Sequence, residues 1–184
     1  MPQAIESISV PLTEVSSEML FRIRRQLATD LIQILTTGSV GRPEDLAVRD
    51  LVPADFSGTD PDAQFVNQVL GVADTYVNAT DADPTLTDTE AWGIYGIADL
   101  AAIPTLAQVR FGVGAAVTVA QVHLEAAYAT GEKGVIILPP VIYRPAEIFN
   151  MDFLFPGATA ADSEVIVVLG LVAEKAGTTI SPRS

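Results

Sequence analysis

The chain is 184 residues long, 49% hydrophobic and strongly acidic, with 23 Asp and Glu against 10 Lys and Arg for a formal net charge of −13. It has no cysteine, which excludes a disulfide framework and a thiolate site, and its acidity argues against nucleic acid as a direct partner, because that binding rests on Lys and Arg neutralising phosphates. The length suits one domain that buries roughly 70% of the surface its unfolded form exposes.

Only two of the basic residues, Lys133 and Lys175, are lysines. Acidic excess with scarce lysine and abundant Ala, Val and Thr resembles the proteins of salt-in halophiles. Self-repulsion is tolerated there because the Debye length falls to about 3 Å at 1 M salt. An ordinary acidic mesophilic chain is the other reading. The amino terminus, Met1-Pro2-Gln3-Ala4-Ile5-Glu6, lacks the basic region and apolar core of a signal peptide, so general secretory export is not expected.

Residues 1–14 read as an extended arm, packed on a neighbour or loosely ordered. A helix follows over Ser17–Thr36, capped by Ser16, with Glu18 in its first turn and Gly38 as its stop. Leu20, Ile23, Leu27, Leu31 and Ile34 form a stripe spaced three and four apart, which makes the helix amphipathic with one face docked on something apolar. Arg22, Arg24 and Arg25 lie on the same helix. They are candidates for contact with an acidic partner or anionic lipid headgroups, while the general rule for helical charges favours pairing with the acidic body or a solvated face.

The stretch 41–61 is rich in Pro, Gly and Asp, with one short strand expected at Leu46–Val52. Phe65–Asn78 is predicted as a strand with Val66, Leu70, Val72 and Tyr76 on one side. The loop Ala79–Glu90 carries Asp81, Asp83, Asp88 and Glu90 but lacks the glycine and spacing of an EF-hand, so a solvated acidic loop is expected rather than a cation site. Asn78-Ala79-Thr80 matches the glycosylation sequon and suggests no more than a surface loop.

Residues 87–103 carry opposed signals. Thr87-Asp88-Thr89-Glu90 resembles a capping box, and Ala91, Ile94, Tyr95, Ala98 and Ala102 would line a helical face. Gly93 and Gly96 would each cost about 1 kcal/mol inside a helix, which tips the expectation to a strand over Ala91–Ala98. Thr105–Gly112 reads as the next strand, ending at the turn Gly112-Val113-Gly114. Ala116–Tyr128 is predicted as a strand whose apolar phase switches between Val117/Val119 and Val122/Leu124, as at a bulge near Ala120-Gln121. A hairpin turn over Thr130–Gly134 is expected to follow.

Three further strands are predicted at Gly134–Tyr143, Glu147–Phe155 and Glu164–Ala173. In the second, Phe149, Met151, Phe153 and Phe155 share one face at period 2, opposite Asn150 and Asp152. Each of those four side chains contributes roughly 1.5–3 kcal/mol if buried, so the core is expected there. Val165–Val172 barely alternates, so both of its faces should be dry. It falls short of the ~20 apolar residues a membrane helix needs, and Asp162, Glu164, Glu174 and Lys175 enclose it.

Catalytic signals are absent from this pattern. The single histidine, His123, falls in the middle of a predicted strand with no nucleophile elbow, which leaves no Ser-His-Asp arrangement. A cupin-like metal enzyme would need several imidazoles. Neither a P-loop nor a dinucleotide fingerprint occurs, and the one tryptophan, Trp92, gives little for sugar stacking. A non-enzyme without cofactor or metal is the expectation, with a two-carboxylate enzyme as a weaker option. About eight strands joined by Gly- and Pro-rich turns suggest an all-β sandwich or jelly roll, residues 41–184, preceded by an arm and helix over residues 1–40.

Val141-Ile142-Tyr143-Arg144-Pro145-Ala146-Glu147-Ile148-Phe149, followed by Val167-Val168-Leu169-Gly170-Leu171-Val172-Ala173-Glu174-Lys175-Ala176-Gly177, resembles the end of single jelly-roll capsid proteins. With the halophilic composition, the chain is similar to the smaller major capsid protein of sphaerolipovirus-like haloarchaeal icosahedral viruses with an internal membrane. The similarity covers roughly residues 115–180 as a pattern of strands and turns. It implies a single eight-stranded jelly roll without catalytic or cofactor residues, and pseudo-hexameric capsomers formed with copies of itself and a larger capsid protein. It also implies synthesis in the host cytoplasm, a place in the virion capsid, possible contact of the helix with the internal membrane, and no direct contact with the genome. The alternative is a non-catalytic β-sandwich binding module on a halophile cell surface.

Overall fold

The computed structural model describes residues 8–56, 66–68, 73–79, 84–114, 117–159 and 164–177. Ten strands and two α-helices occur among them: β1 (Ile8–Pro11), α1 (Ser17–Thr37), β2 (Leu46–Asp50), β3 (Val66–Gln68), β4 (Tyr76–Asn78), β5 (Glu90–Asp99), β6 (Gln108–Val113), β7 (Val117–His123), α2 (Glu125–Ala129), β8 (Gly134–Tyr143), β9 (Phe149–Leu154) and β10 (Glu164–Lys175). The strands build an all-β sandwich of two antiparallel sheets. One runs β1-β8-β5-β10-β2, with β3 also pairing β10; the other runs β4-β9-β6-β7.

The main core lies between the sheets, where the period-2 pattern of β9 requires it. Phe149, Met151 and Phe153, with Phe155 just beyond, are fully buried, whereas Asn150 and Asp152 are half-buried on the outer face. Phe56, Trp92 and Tyr143 each bring a ring to within 5.0–5.5 Å of Phe149, the spacing at which aromatic pairs attract beyond simple burial. Trp92 therefore belongs to the core.

The expected burial on both faces of β10 holds only over its second half, Gly170–Glu174; before it Val165, Val167 and Leu169 are half-buried and alternate with the buried Ile166 and Val168. Ile166, Val168 and Val172 point into the inter-sheet core, while Leu171 and Ala173 join Leu27, Leu31 and Leu35 of α1 in a second cluster on the outside of the same sheet. A helix layer covers what would otherwise be a wet face. Ser16 Oγ accepts from Met19 N at 3.1 Å, and the Gly38 N–H donates to Ile34 O at 2.9 Å, so both ends of α1 close as expected. The fully buried row is Leu27, Leu31 and Leu35. Leu20, Ile23 and Ile34 of the predicted stripe are half-buried at its flanks.

Several expectations are corrected. Eight strands become ten. Residues 8–11 of the arm are β1, in register with β8 from Ile8↔Leu138 to Pro11↔Val135; residues 1–7 lie outside the described residues. The strand expected over Phe65–Asn78 divides between the sheets, with β3 on β10 and β4 on β9. The predicted side chains Val66, Leu70 and Val72 lie outside the described ones.

Glu90 is buried rather than solvated. Its Oε1 accepts from Thr87 N at 2.6 Å, so half of a capping-box pattern closes a turn into a strand. Asp81 and Asp83 lie outside the described residues, and Asp88 is exposed. The expected strand over Ala91–Ala98 forms as β5, buried at all ten positions.

The long strand expected over Ala116–Tyr128 stops at His123. The Ala-rich Glu125–Ala129 then turns into α2 and buries Ala127, as its helix propensity allows. The expected bulge sits one residue early, because Phe111 pairs Ala120 and Gly112 pairs Thr118, leaving Val119 as the extra residue. No hairpin forms at Thr130–Gly134. Gly131, at φ +83°, turns the chain from α2 into β8, which lies in the other sheet.

Candidate partner interface on the helix

The helix crosses the edge strand β2, and between them runs an open groove of about 370 Å³. Phe21, Arg24, Arg25 and Ala28 line it from α1, and Val48, Arg49 and Asp50 from β2. Leu171 lies at its floor. Two of the three predicted arginines therefore meet in one place. Arg22 lies elsewhere on the helix surface, exposed, and pairs with Glu18 one turn back at 2.5 Å.

Arg24 is held from two sides. Its Nη2 donates to Asp50 Oδ1 at 2.6 Å and its Nη1 to Tyr95 Oη at 2.8 Å, and its guanidinium carbon lies 5.8 Å from the Tyr95 ring centre. Burial acts to lower the Arg24 pKa, but Tyr95 and Asp50 outweigh it and hold the group above its ordinary value. Arg24 thus follows the structural reading, tying helix to sheet. Arg25 is exposed and enters no ion pair among the described residues.

Arg49, which the sequence did not single out, is the most tightly bound charge of the groove. Its Nη1 and Nη2 donate to the two oxygens of Asp55, both at 2.7 Å, and its Nε donates to Glu174 Oε1 at 2.9 Å. Asp55 also accepts from Val52 N at 2.8 Å. Burial pulls the Arg49 pKa down, yet the bonds to Asp55 and Glu174 keep it above the usual arginine value. This cluster joins β2, the short turn after it and the end of β10. Sequence position could not reveal it, since Asp55 and Glu174 stand far apart in the chain.

The groove is therefore nearly neutral in spite of its arginines. One free guanidinium, Arg25, stands beside the exposed ring of Phe21, which is 64% accessible. That pair suits one acidic group with an apolar neighbour better than a broad anionic surface. No helix among the described residues is long and apolar enough to cross a membrane.

No group of three or more His, Cys, Asp or Glu gathers among the described residues. His123 is exposed at the end of β7, with its Nε2 3.4 Å from Gln121 Nε2. No protein-family model, curated protein or solved structure matches the chain.

Proposed function

We propose that the chain is a structural, non-catalytic jelly roll, serving as a major capsid protein of an icosahedral halophilic virus with an internal membrane. The observation that carries the jelly-roll part of this reading is strand order. Leaving aside β1 and β3, the strands visit the sheets in the sequence first, second, first, second, second, first, second, first, and lie as β2-β10-β5-β8 opposite β4-β9-β6-β7. That interleaving is how two Greek keys wind into a jelly roll, an architecture used by viral capsids and also by lectins and cupins.

The fold alone does not choose among those uses. The capsid choice is supported by the resemblance over residues 115–180 and by the halophilic acidity. Copies of itself and a second, larger capsid protein are the proposed partners, with the virion capsid as location. The exposed pair Phe21 and Arg25 offers a further contact with a neighbour or the internal membrane.

The test is sedimentation of native lysate and culture supernatant at high salt, following the chain with an antibody. Particles far larger than a simple oligomer, carrying an abundant second protein, are expected. A chain found only in small soluble or envelope species overturns the capsid reading in favour of a cell-surface binding module.

A further inference from the structure

The loop joining β5 to β6 is held unusually tightly for a surface segment. Asp99 is fully buried. Its Oδ1 accepts from Ala101 N at 3.0 Å, and its Oδ2 accepts from Thr105 N at 3.2 Å and Leu106 N at 3.4 Å. Lys133 Nζ donates to Ala101 O at 2.7 Å, and the Leu100 N–H donates to Val165 O at 2.8 Å. Burying a carboxylate is costly unless backbone donors satisfy it, and here they do so by fixing one loop shape.

That shape presents apolar side chains to water. Ile103 is 79% exposed and Leu100 45%, while Ala101, Leu106 and Ala107 turn inward. Single exposed apolar residues are ordinary. Two on a pinned loop are different, because little ordering entropy is left to be lost when they dock. From Leu100 to Ala107 the loop carries no charge.

A receptacle lies at the same end of the sandwich. Pro104, Thr105, Ala107, Tyr128, Pro156 and Gly157 line an open pocket of about 300 Å³, with Glu125 the one charged residue of its lining among the described residues. Protrusion and pocket share a loop, so each copy of the chain offers both. A second copy also brings a further charge of −13, and two such bodies approach most easily where the surface is uncharged and salt screens the remainder.

We propose that two copies of the chain dock reciprocally at this end, with Leu100 and Ile103 of each seated in the Pro104 and Pro156 pocket of the other. Such a contact is isologous, the same patch serving both partners. It does not depend on the capsid reading, although a capsid subunit would use it.

The test is sedimentation velocity of the full chain in molar KCl over a wide concentration range, with two variants that should fold normally. Ile103→Asp alters a side chain already in water. Gly157→Phe adds bulk on the pocket's lining, at a position where a Cβ meets no atom within 4 Å and the new side chain needs no rearrangement, and so obstructs an incoming side chain. The wild type is expected to dimerise, and each variant to associate more weakly by roughly 30-fold or more. Mixing the variants should recover part of the association, since one keeps its pocket and the other its protrusion. Ile8→Asp, at another exposed apolar position, should change nothing.

A wild type that stays monomeric overturns the proposal, as do variants that dimerise as the wild type does. Ile103-dependent flotation with phosphatidylcholine and phosphatidylglycerol vesicles, without a dimer, would assign the loop to lipid instead. A dimer indifferent to both substitutions would sink this contact and leave the capsid reading to its own particle test.

Discussion

Leu27 occupies the space that a side chain on Gly93 would need. A Cβ at Gly93 would stand 2.5 Å from Leu27 Cδ1 and 2.9 Å from both Cγ and Cδ2, so the bare backbone of β5 is what lets α1 lie close on the sheet. Gly93→Ala should overpack this contact and cost about 1–3 kcal/mol. Leu27→Ala alone should cost about 2–5 kcal/mol through the cavity it leaves. The double variant should lose less than the sum, because each change makes room for the other. Urea unfolding of the four proteins checks this, and strict additivity would show that the two residues do not compete.

Arg49 should matter far more to stability than Arg22, the exposed and locally paired arginine of α1. Arg49→Met leaves Asp55 and Glu174, only 3% and 7% exposed, without their cation. Breaking a buried pair in this way costs about 3–5 kcal/mol. Arg22→Ala removes an exposed pair within the helix and should change stability by less than about 1 kcal/mol. Denaturant midpoints of the two variants should therefore separate clearly, and equal midpoints would contradict the buried role of Arg49.

Alkaline pH should weaken the fold through Tyr143. Burial, reinforced by Glu147, pushes its phenol well above the ordinary tyrosine value. The unfolded chain therefore loses this proton first, near pH 10. The stabilisation is complete below that pH and is lost as pH rises toward the folded-state value, at up to about 1.4 kcal/mol per pH unit. Tyr95 shifts in the same direction, raised by burial against the opposing pull of Arg24. Tyr143→Phe should flatten the decline measured by urea midpoints above about pH 10; an unchanged slope would mean that the phenol titrates alike in both states.

Salt should stabilise the chain. With a net charge of −13, the folded body concentrates repulsion that molar KCl screens to a few ångströms, about 3 Å at 1 M. Thermal unfolding in dilute buffer should precede unfolding in molar KCl by a wide margin. Equal melting temperatures in the two would remove the argument for a halophilic source.

Local patterns in the chain reported local facts well. The α1 cap at Ser16 and stop at Gly38 and the inward row Phe149, Met151, Phe153 and Phe155 each depend on neighbours a few residues away, through helical or strand periodicity, whereas the second dry face of β10 depends on α1. The preference for strand over helix at β5 came from Gly93 and Gly96, yet the reason for Gly93 lies on α1. At Phe65–Asn78 and Ala116–Tyr128 periodicity misled, because it does not record that the chain leaves one sheet for the other.

The candidate site was legible only in part. Arg22, Arg24 and Arg25 stood out as a run of positive charge on a helix, but nothing local distinguished the paired Arg24 from the free Arg25. That depended on Asp50 and Tyr95 arriving from two strands. Arg49 gave no signal, since its partners are brought to it by the β2–β10 pairing, and the Leu100 and Ile103 protrusion depended on Asp99 folding back on its own loop.

By itself, then, the sequence determined what composition and short-range periodicity control: the acidic, cysteine-free character, the amphipathic helix, most strands and the position of the core. Only the tertiary structure decided strand order, the helix layer over the first sheet, the neutralisation of the groove and the exposed apolar loop. Each of these depends on contacts between residues distant in the chain, whose energies are set by burial and by the partners that folding brings together.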